Sequence, residues 1–424
     1  MNARERIQTA LAHQEPDRVP LDLGSSPTTG MHVSSVYKLR QALQLDPPGT
    51  PVRVTEPYQM LGEVKPDLLD ALGGDVVGLS SPNSMFGYPL AGWKPWTFFD
   101  GTPVLVPGDF NTRPEPNGDI LMYPEGDRSA QPSGRMPAGG FYFDAIVRQP
   151  PFDEDYLDPA DNWEEFRPVS EADLDFYEKE ADRLFTETDR AILANFGGTG
   201  FGDIALVPAV QLRDPKGIRD MEEWYMSTVM RRDYIWAVFE KQCEIGLENL
   251  QRIHARVGDK VSVVYISGAD FGAQNGPFIS PKAYRDLYQP FHRIINTWVH
   301  ENTGWKTFIH SCGSIFKLIP DIIDAGFDVL NPVQTSAAEM DAGVLAERFG
   351  NRVTFWGGGV DTQQVLPFGT PEEVRAQVRE RMRIFGRGGG FVFNPIHNVQ
   401  AGVPVENLLA LYETVAAYRE YPLE

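Results

Sequence analysis

Short apolar runs recur along the chain, each bounded by Gly, Pro, Asn, Asp or Ser. They are Val19–Gly24, Asp75–Leu79, Ala191–Phe196, Val261–Ser267, Lys306–His310, Phe327–Asn331, Arg352–Trp356 and Phe391–Asn394, eight in all. Most are continuous and β-branched rather than alternating, which is the pattern of strands buried on both faces. Helical periodicity lies between the later runs, over 219–257, 281–302, 314–325, 337–349 and 371–386. Strand and helix in repeated alternation predict an α/β chain folded as a (β/α)8 (TIM) barrel, with a doubly wound open sheet as the competing arrangement. Ahead of the first strand, residues 2–13 predict a short amphipathic helix. Asn2 and Glu5 suit a capping box, and Ile7, Ala10 and Leu11 share one face.

One stretch breaks the alternation. Residues 91–150 carry Trp93, Trp96, many Pro and Gly, and short apolar runs such as PVLVPG and DILMYPEGD. That composition predicts a β-rich insertion of hairpins after the second strand. The acidic, Pro-containing segment 151–170 reads as a solvated return linker. The expected organisation is a single barrel over 1–424 with the insertion inside it.

Composition narrows the partners. The chain has 424 residues, 42% hydrophobic and 23% charged, so it can bury a large core. Its formal charge of -21 repels phosphate backbones and anionic lipid, so neither nucleic acid nor a membrane surface is expected as a partner. A local basic pocket for a small anion stays compatible with that balance. Two cysteines, Cys243 and Cys312, form no disulfide framework and suit a reducing compartment. The first residues are charged from position 4 and show no apolar signal core, and no run approaches the ~18 apolar residues of a bilayer span. A soluble cytoplasmic protein is the expectation.

Barrel enzymes place their chemistry at the C-terminal ends of the strands. Here the fourth strand is followed by Asp270 and Gln274, and the fifth ends in His310 and Cys312. The sixth is followed by Asn331 and Gln334, the seventh by Asp361, and the eighth by Asn394, His397 and Gln400. His310 and Cys312, two apart at a strand end, face the same way, and an imidazole with a thiolate suits zinc. His397 is the natural third ligand, because a barrel mouth gathers its strand ends into a small ring; a buried structural pair is the competing reading. The glycines of Asn195–Gly202 lack dinucleotide spacing, and Gly357–Gly359 and Gly388–Gly390 lack a phosphate-loop lysine, so tight turns are expected there. Cys243 reads as helix packing, as do Met221, Trp224, Tyr225, Met226, Trp236 and Phe239. His13, His32, His254, His292 and His300 read as solvated or capping.

Several segments, in order, resemble the uroporphyrinogen decarboxylase superfamily: RERIQTALAHQEPDRVPLDLG, ADFGAQNGPFISPKAYRDLYQPFHRII, HSCGSIFKLIPDIIDAGFDVLNPVQ, GGGVDTQQVLPFGTPEEV and NPIHNVQAGVPVENLLALYETV. The resemblance implies a (β/α)8 barrel. It also implies one of two activities: a lyase that decarboxylates a carboxylated substrate without metal, or a zinc methyltransferase that works with a corrinoid protein. The arginine-rich segment of true decarboxylases is replaced by GSSPTTGMHVSSVYKLR, and their catalytic Asp after the second strand by Ser80-Ser81-Pro82. The His310-x-Cys312 motif matches the methyltransferase branch, whereas His397 stands where that branch carries a Cys. The reading is therefore a methyltransferase with zinc on His310, Cys312 and His397. Asp270 would act as base or fourth ligand, and Gln274, Asn331, Gln334, Asp361 and Asn394 would orient the substrate. No D-x-H-x-x-G corrinoid motif occurs, so cobalamin would enter on a partner. The decarboxylase-like alternative would use Asp270 and His397 as acid and base and would need arginines, of which Arg213 and Arg285 are the nearest. Members of the superfamily often dimerise, which leaves a homodimer open.

Overall fold

The computed structural model describes residues 1–163 and 166–423. Seven parallel strands lie side by side in chain order: Val76–Ser80, Ala191–Asn195, Val263–Ser267, Lys306–His310, Val329–Asn331, Thr354–Trp356 and Phe391–Val392. The first apolar run closes the ring. Leu21 pairs in parallel with Phe393, and on its other side its carbonyl accepts the Asp75 amide at 2.7 Å. All eight predicted strands therefore serve as staves of one TIM-like barrel, and the open-sheet alternative falls because the two edges meet.

Two cores follow from this closure. Inside the barrel, Val76, Ala191, Leu193, Val263, Phe308, Val329, Trp356 and Val392 pack together, and Ile7 and Leu11 of the N-terminal helix Ala3–Leu11 join them from below. The larger core lies largely between the strands and the surrounding helices. Strand alternation assigns each side chain to one or the other. Phe308 points inward and Ile309 outward, so His310, in phase with Phe308, points into the barrel. The N-terminal helix carries the expected capping box between Asn2 and Glu5.

The helical stretches are shorter and more broken than their periodicity suggests. The stretch 219–257 is two helices, Met221–Met230 and Arg232–Val257, because Arg231 takes φ -126°, ψ 49°. The stretch 314–325 contracts to Ile319–Asp324. Trp224 and Phe239 are core residues, and Trp236, though 39% exposed, packs on Phe291 at 4.8 Å; Met221 and Met226 are about 40% exposed and do not pack as expected. His292 is fully buried rather than solvated, and burial depresses its pKa to about 3. His32 is both buried and the cap of Val33–Ala42.

The segment after the second strand is β-rich. Lys94–Thr97 and Pro103–Val106 join Val52–Glu56 and Leu61–Gly62 in one sheet, and Ile120–Met122, Gly134–Met136 and Asp144–Ala145 form another. It is tied to the loop side of the first strand: the Phe143 amide donates to the Tyr58 carbonyl at 2.8 Å, and Gln59 donates to the Pro27 carbonyl at 3.0 Å. This β layer thus stands beside the barrel mouth. The linker 151–170 contains two short 3-10 turns, and Glu164 and Glu165 within it lie outside the described residues. No helix among the described residues is long and apolar enough to cross a membrane.

Candidate metal centre

At the mouth, the donor atoms of His310, Cys312 and His397 lie within 4.8 Å of one another. The Cys312 sulfur is 3.3 Å from His310 Nε2, and the two imidazoles sit edge to face at 5.5 Å. The strand places His310, the bend after it places Cys312, and the loop after the eighth strand brings His397 across the ring.

Asn331 sets the orientation of His310. Its amide nitrogen donates to the Trp356 carbonyl at 2.7 Å, so its oxygen faces the imidazole and accepts from Nδ1 at 2.6 Å. With the proton held on Nδ1, Nε2 presents a lone pair to the cluster, the arrangement that orients histidine ligands. Cys312 is held through its backbone. Its amide donates to Asp270 Oδ1 at 2.7 Å, and the next amide, Gly313, donates to Gln334 Oε1 at 2.7 Å. Gly313 has φ +85°, and a Cβ there would lie 2.3 Å from the Gly272 carbonyl, so this close crossing of two loops requires glycine.

Electrostatics follow from burial. Burial, then the neighbouring His310, depresses His397 to about 3. Burial also lowers His310, against the opposing pull of Asp270 and Asn331. Both imidazoles are neutral and able to ligate. Burial and the Asp270 charge push the Cys312 thiol well above its usual range, so without a cation the sulfur keeps its proton. A divalent ion reverses that preference. Two imidazoles and one sulfur, one of them fixed in the ligating tautomer, form a donor set that fits zinc.

The residues expected to orient substrate fall into two groups. Asn331, Gln334 and Asn394 are bonded within the protein; Asn394 donates to the carbonyls of Asp22 at 3.1 Å and Thr29 at 3.3 Å, knitting the last strand to the first, while its oxygen has no partner. Asp361 accepts the Gln363 amide at 2.8 Å, and Gln274 donates to the Gln363 side chain at 3.4 Å. Asp270 is brought beside the cluster, 3.9 Å from His310 Nε2.

Other groups at the mouth escaped the sequence reading. Asp203 and the Tyr265 hydroxyl both approach Gly268, where a Cβ would meet them at 2.5 and 2.7 Å. Burial, with the Asp270 charge adding to it, raises Asp203 to about 7. Tyr225 donates to the Asp270 carbonyl at 2.9 Å. A lone tyrosine inside the otherwise apolar run VSVVYIS was the available signal for Tyr265. Asp203 sits in an irregular loop and gave none.

Comparison with known proteins agrees with this architecture. Residues 209–418 match the uroporphyrinogen decarboxylase (URO-D) family model, and the chain carries a domain of that family. A uroporphyrinogen decarboxylase of Pseudoalteromonas atlantica is 26% identical over 210 residues, covering 46% of this chain and 56% of the relative. A methylated-thiol–coenzyme M methyltransferase of Methanosarcina mazei is 28% identical over 145 residues, covering 34% and 35%. The chain spans about half the length, or less, of these curated relatives. Among solved structures, a methyltransferase from Methanosarcina mazei superposes over 99% of both chains with a TM-score of 0.51 at 16% identity, a likeness of fold.

Proposed function

We propose that this chain is a zinc methyltransferase that moves a methyl group between a small methylated substrate or thiol and the cobalt of a separate corrinoid protein. The observation that carries the reading is the His310–Cys312–His397 cluster, with His310 held in the ligating tautomer by Asn331. Zinc on these three side chains would supply a Lewis acid toward the heteroatom bearing the methyl group, or would stabilise an acceptor thiol as thiolate. The protein's own groups do the rest. Asn331 keeps the His310 proton on Nδ1, and Asp270 and Gln334 pin the Cys312–Gly313 backbone. Asp270, partly exposed beside the cluster, serves as fourth ligand or as base, and Gln274 and Asp361 orient the substrate. The methylated-thiol relative supports this substrate class. Cobalamin enters on the partner, and the β layer beside the mouth is where that partner would bear.

The decarboxylase-like reading draws on the matched decarboxylases, but the charges at the mouth oppose it. The two arginines nearest the strand ends are engaged elsewhere, Arg213 with Asp127 and Arg285 with Asp321. Asp270 instead places a carboxylate beside the cluster, where a polycarboxylate would need positive charge.

The test is metal analysis of the full-length protein, with H310A and H397A beside it, joined to a methyl-transfer assay using free cob(I)alamin as acceptor. About one zinc per chain, lost in both variants together with methyl transfer, is the expected result. Absence of bound metal in zinc-replete protein would refute the reading.

A further inference from the structure

A cavity of about 500 Å³ opens at the face of the barrel opposite the mouth. It lies where the second and third strands begin, between the N-terminal helix, the Gly73–Gly74 turn and the end of the last helix. Arg6, Arg18, Arg190 and Arg419 line it beside Asp70, Asp75 and Asp189, a basic excess in a chain whose net charge is -21.

Most of these guanidiniums have carboxylates. Asp75, fully buried, takes Arg6 at 2.5 Å and Arg18 at 3.3 Å, and Asp70 takes Arg190 at 2.5 Å. Arg419 is left over. It is 7% exposed, and its Nη1 donates to the Gly73 carbonyl at 2.9 Å. Among the described residues, no carboxylate is recorded in an ion pair with it. The Nε groups of Arg18 and Arg419 also have no hydrogen-bond partner. Burial, and then the nearby Arg18, disfavour the charge on Arg419. Asp75 and Glu420 favour that charge through space but do not outweigh burial. A buried guanidinium with no direct ion pair is costly to keep, and one that lines a cavity has the N–H donors that take carboxylate or phosphate.

We propose that this cavity binds a small molecule through a phosphate or carboxylate group, held by Arg18 and Arg419. Its size falls in the ~300–1,000 Å³ range of small-molecule sites, so the ligand has a body beyond its oxyanion. The bottom face of such barrels ordinarily serves stability. A ligand there would act on the frame of the barrel, away from the chemistry.

Titration calorimetry on the full-length protein, at constant ionic strength, tests this with three probes: inorganic phosphate, glycerol phosphate and succinate. Saturable binding of one molecule per chain is expected. A preference among the probes separates free phosphate, a phosphate ester and a carboxylate as sources. R18Q should weaken binding at least tenfold, and R419M should do the same while staying folded by circular dichroism, because it removes a buried charge that has no direct ion pair. If R419M does not fold, R18Q decides alone. No saturable heat with any probe, or unchanged affinity in R18Q, overturns the proposal.

Discussion

Asn331 accepts a 2.6 Å hydrogen bond from His310 Nδ1 while its own amide nitrogen is fixed 2.7 Å from the Trp356 carbonyl. The pair spans the fifth and sixth strands, and the seventh supplies the carbonyl that fixes the amide. Removing the amide should therefore loosen the imidazole without touching the other ligands. Asn331→Ala is expected to weaken zinc binding by roughly 10–100-fold, measured by competition with a fluorescent chelator. Affinity equal to the parent would show that His310 needs no such support.

The protonation states predict how metal affinity varies with pH. His397, held at about 3, and His310, lowered by burial, carry no proton to displace near neutrality. The Cys312 thiol, pushed up by burial and by Asp270, does. Between pH 6 and 8 zinc affinity should rise about tenfold per pH unit, with about one proton released per ion. Potentiometry during zinc addition counts the protons; two or more would contradict the neutral imidazoles.

Asp270 raises the Cys312 thiol through its charge while accepting the Cys312 amide through Oδ1. Asp270→Asn keeps an acceptor and removes the charge. In metal-free protein, alkylation of Cys312 by iodoacetamide at pH 8 should speed up several-fold, because more thiolate is present. Cys243, buried and held at about 12, should stay unlabelled and serve as an internal control in the mass spectrum.

Asp203 is expected to oppose stability when ionised. Its folded pKa of about 7 lies above the usual carboxylate value, so the folded state binds the proton more tightly than the unfolded state. Stability attributable to this residue therefore falls as pH rises from about 4 to 7 and is level above that. Asp203→Asn should stabilise the protein by about 1–3 kcal/mol at pH 8, with the gain shrinking toward pH 5. Urea unfolding at both pH values reads the difference, and a pH-independent gain would place the effect in packing instead.

The barrel was legible in the sequence because each strand is buried on both faces and so reads as a continuous apolar run, from Val19 to Phe391. The inward turn of His310 was legible for the same reason, since it keeps step with Phe308. The break at Arg231 was invisible because both flanking helices continue a helical pattern, and periodicity does not report a single non-helical residue. The strands at Val52–Glu56 and Leu61–Gly62 are too short and mixed to stand out. Asn331 and Gln334 read as substrate-orienting because they follow a strand end, and their framework role was not visible there. Their hydrogen bonds to His310 and Gly313 join separate strand units, and a local pattern cannot encode a partner twenty residues away. Asp203 and Tyr265 meet over Gly268 for the same non-local reason.

Ile7 and Leu11 pack against the interior core at the lower end of the barrel, so that end offers no way to His310. Anything that reaches His310 must come and go by one rim. Under the methyl transfer proposed above, the donor and the cobalt would share that doorway and would have to use it in turn. The β layer standing beside the rim, tied to it through Gln59 and Pro27, would border that exchange.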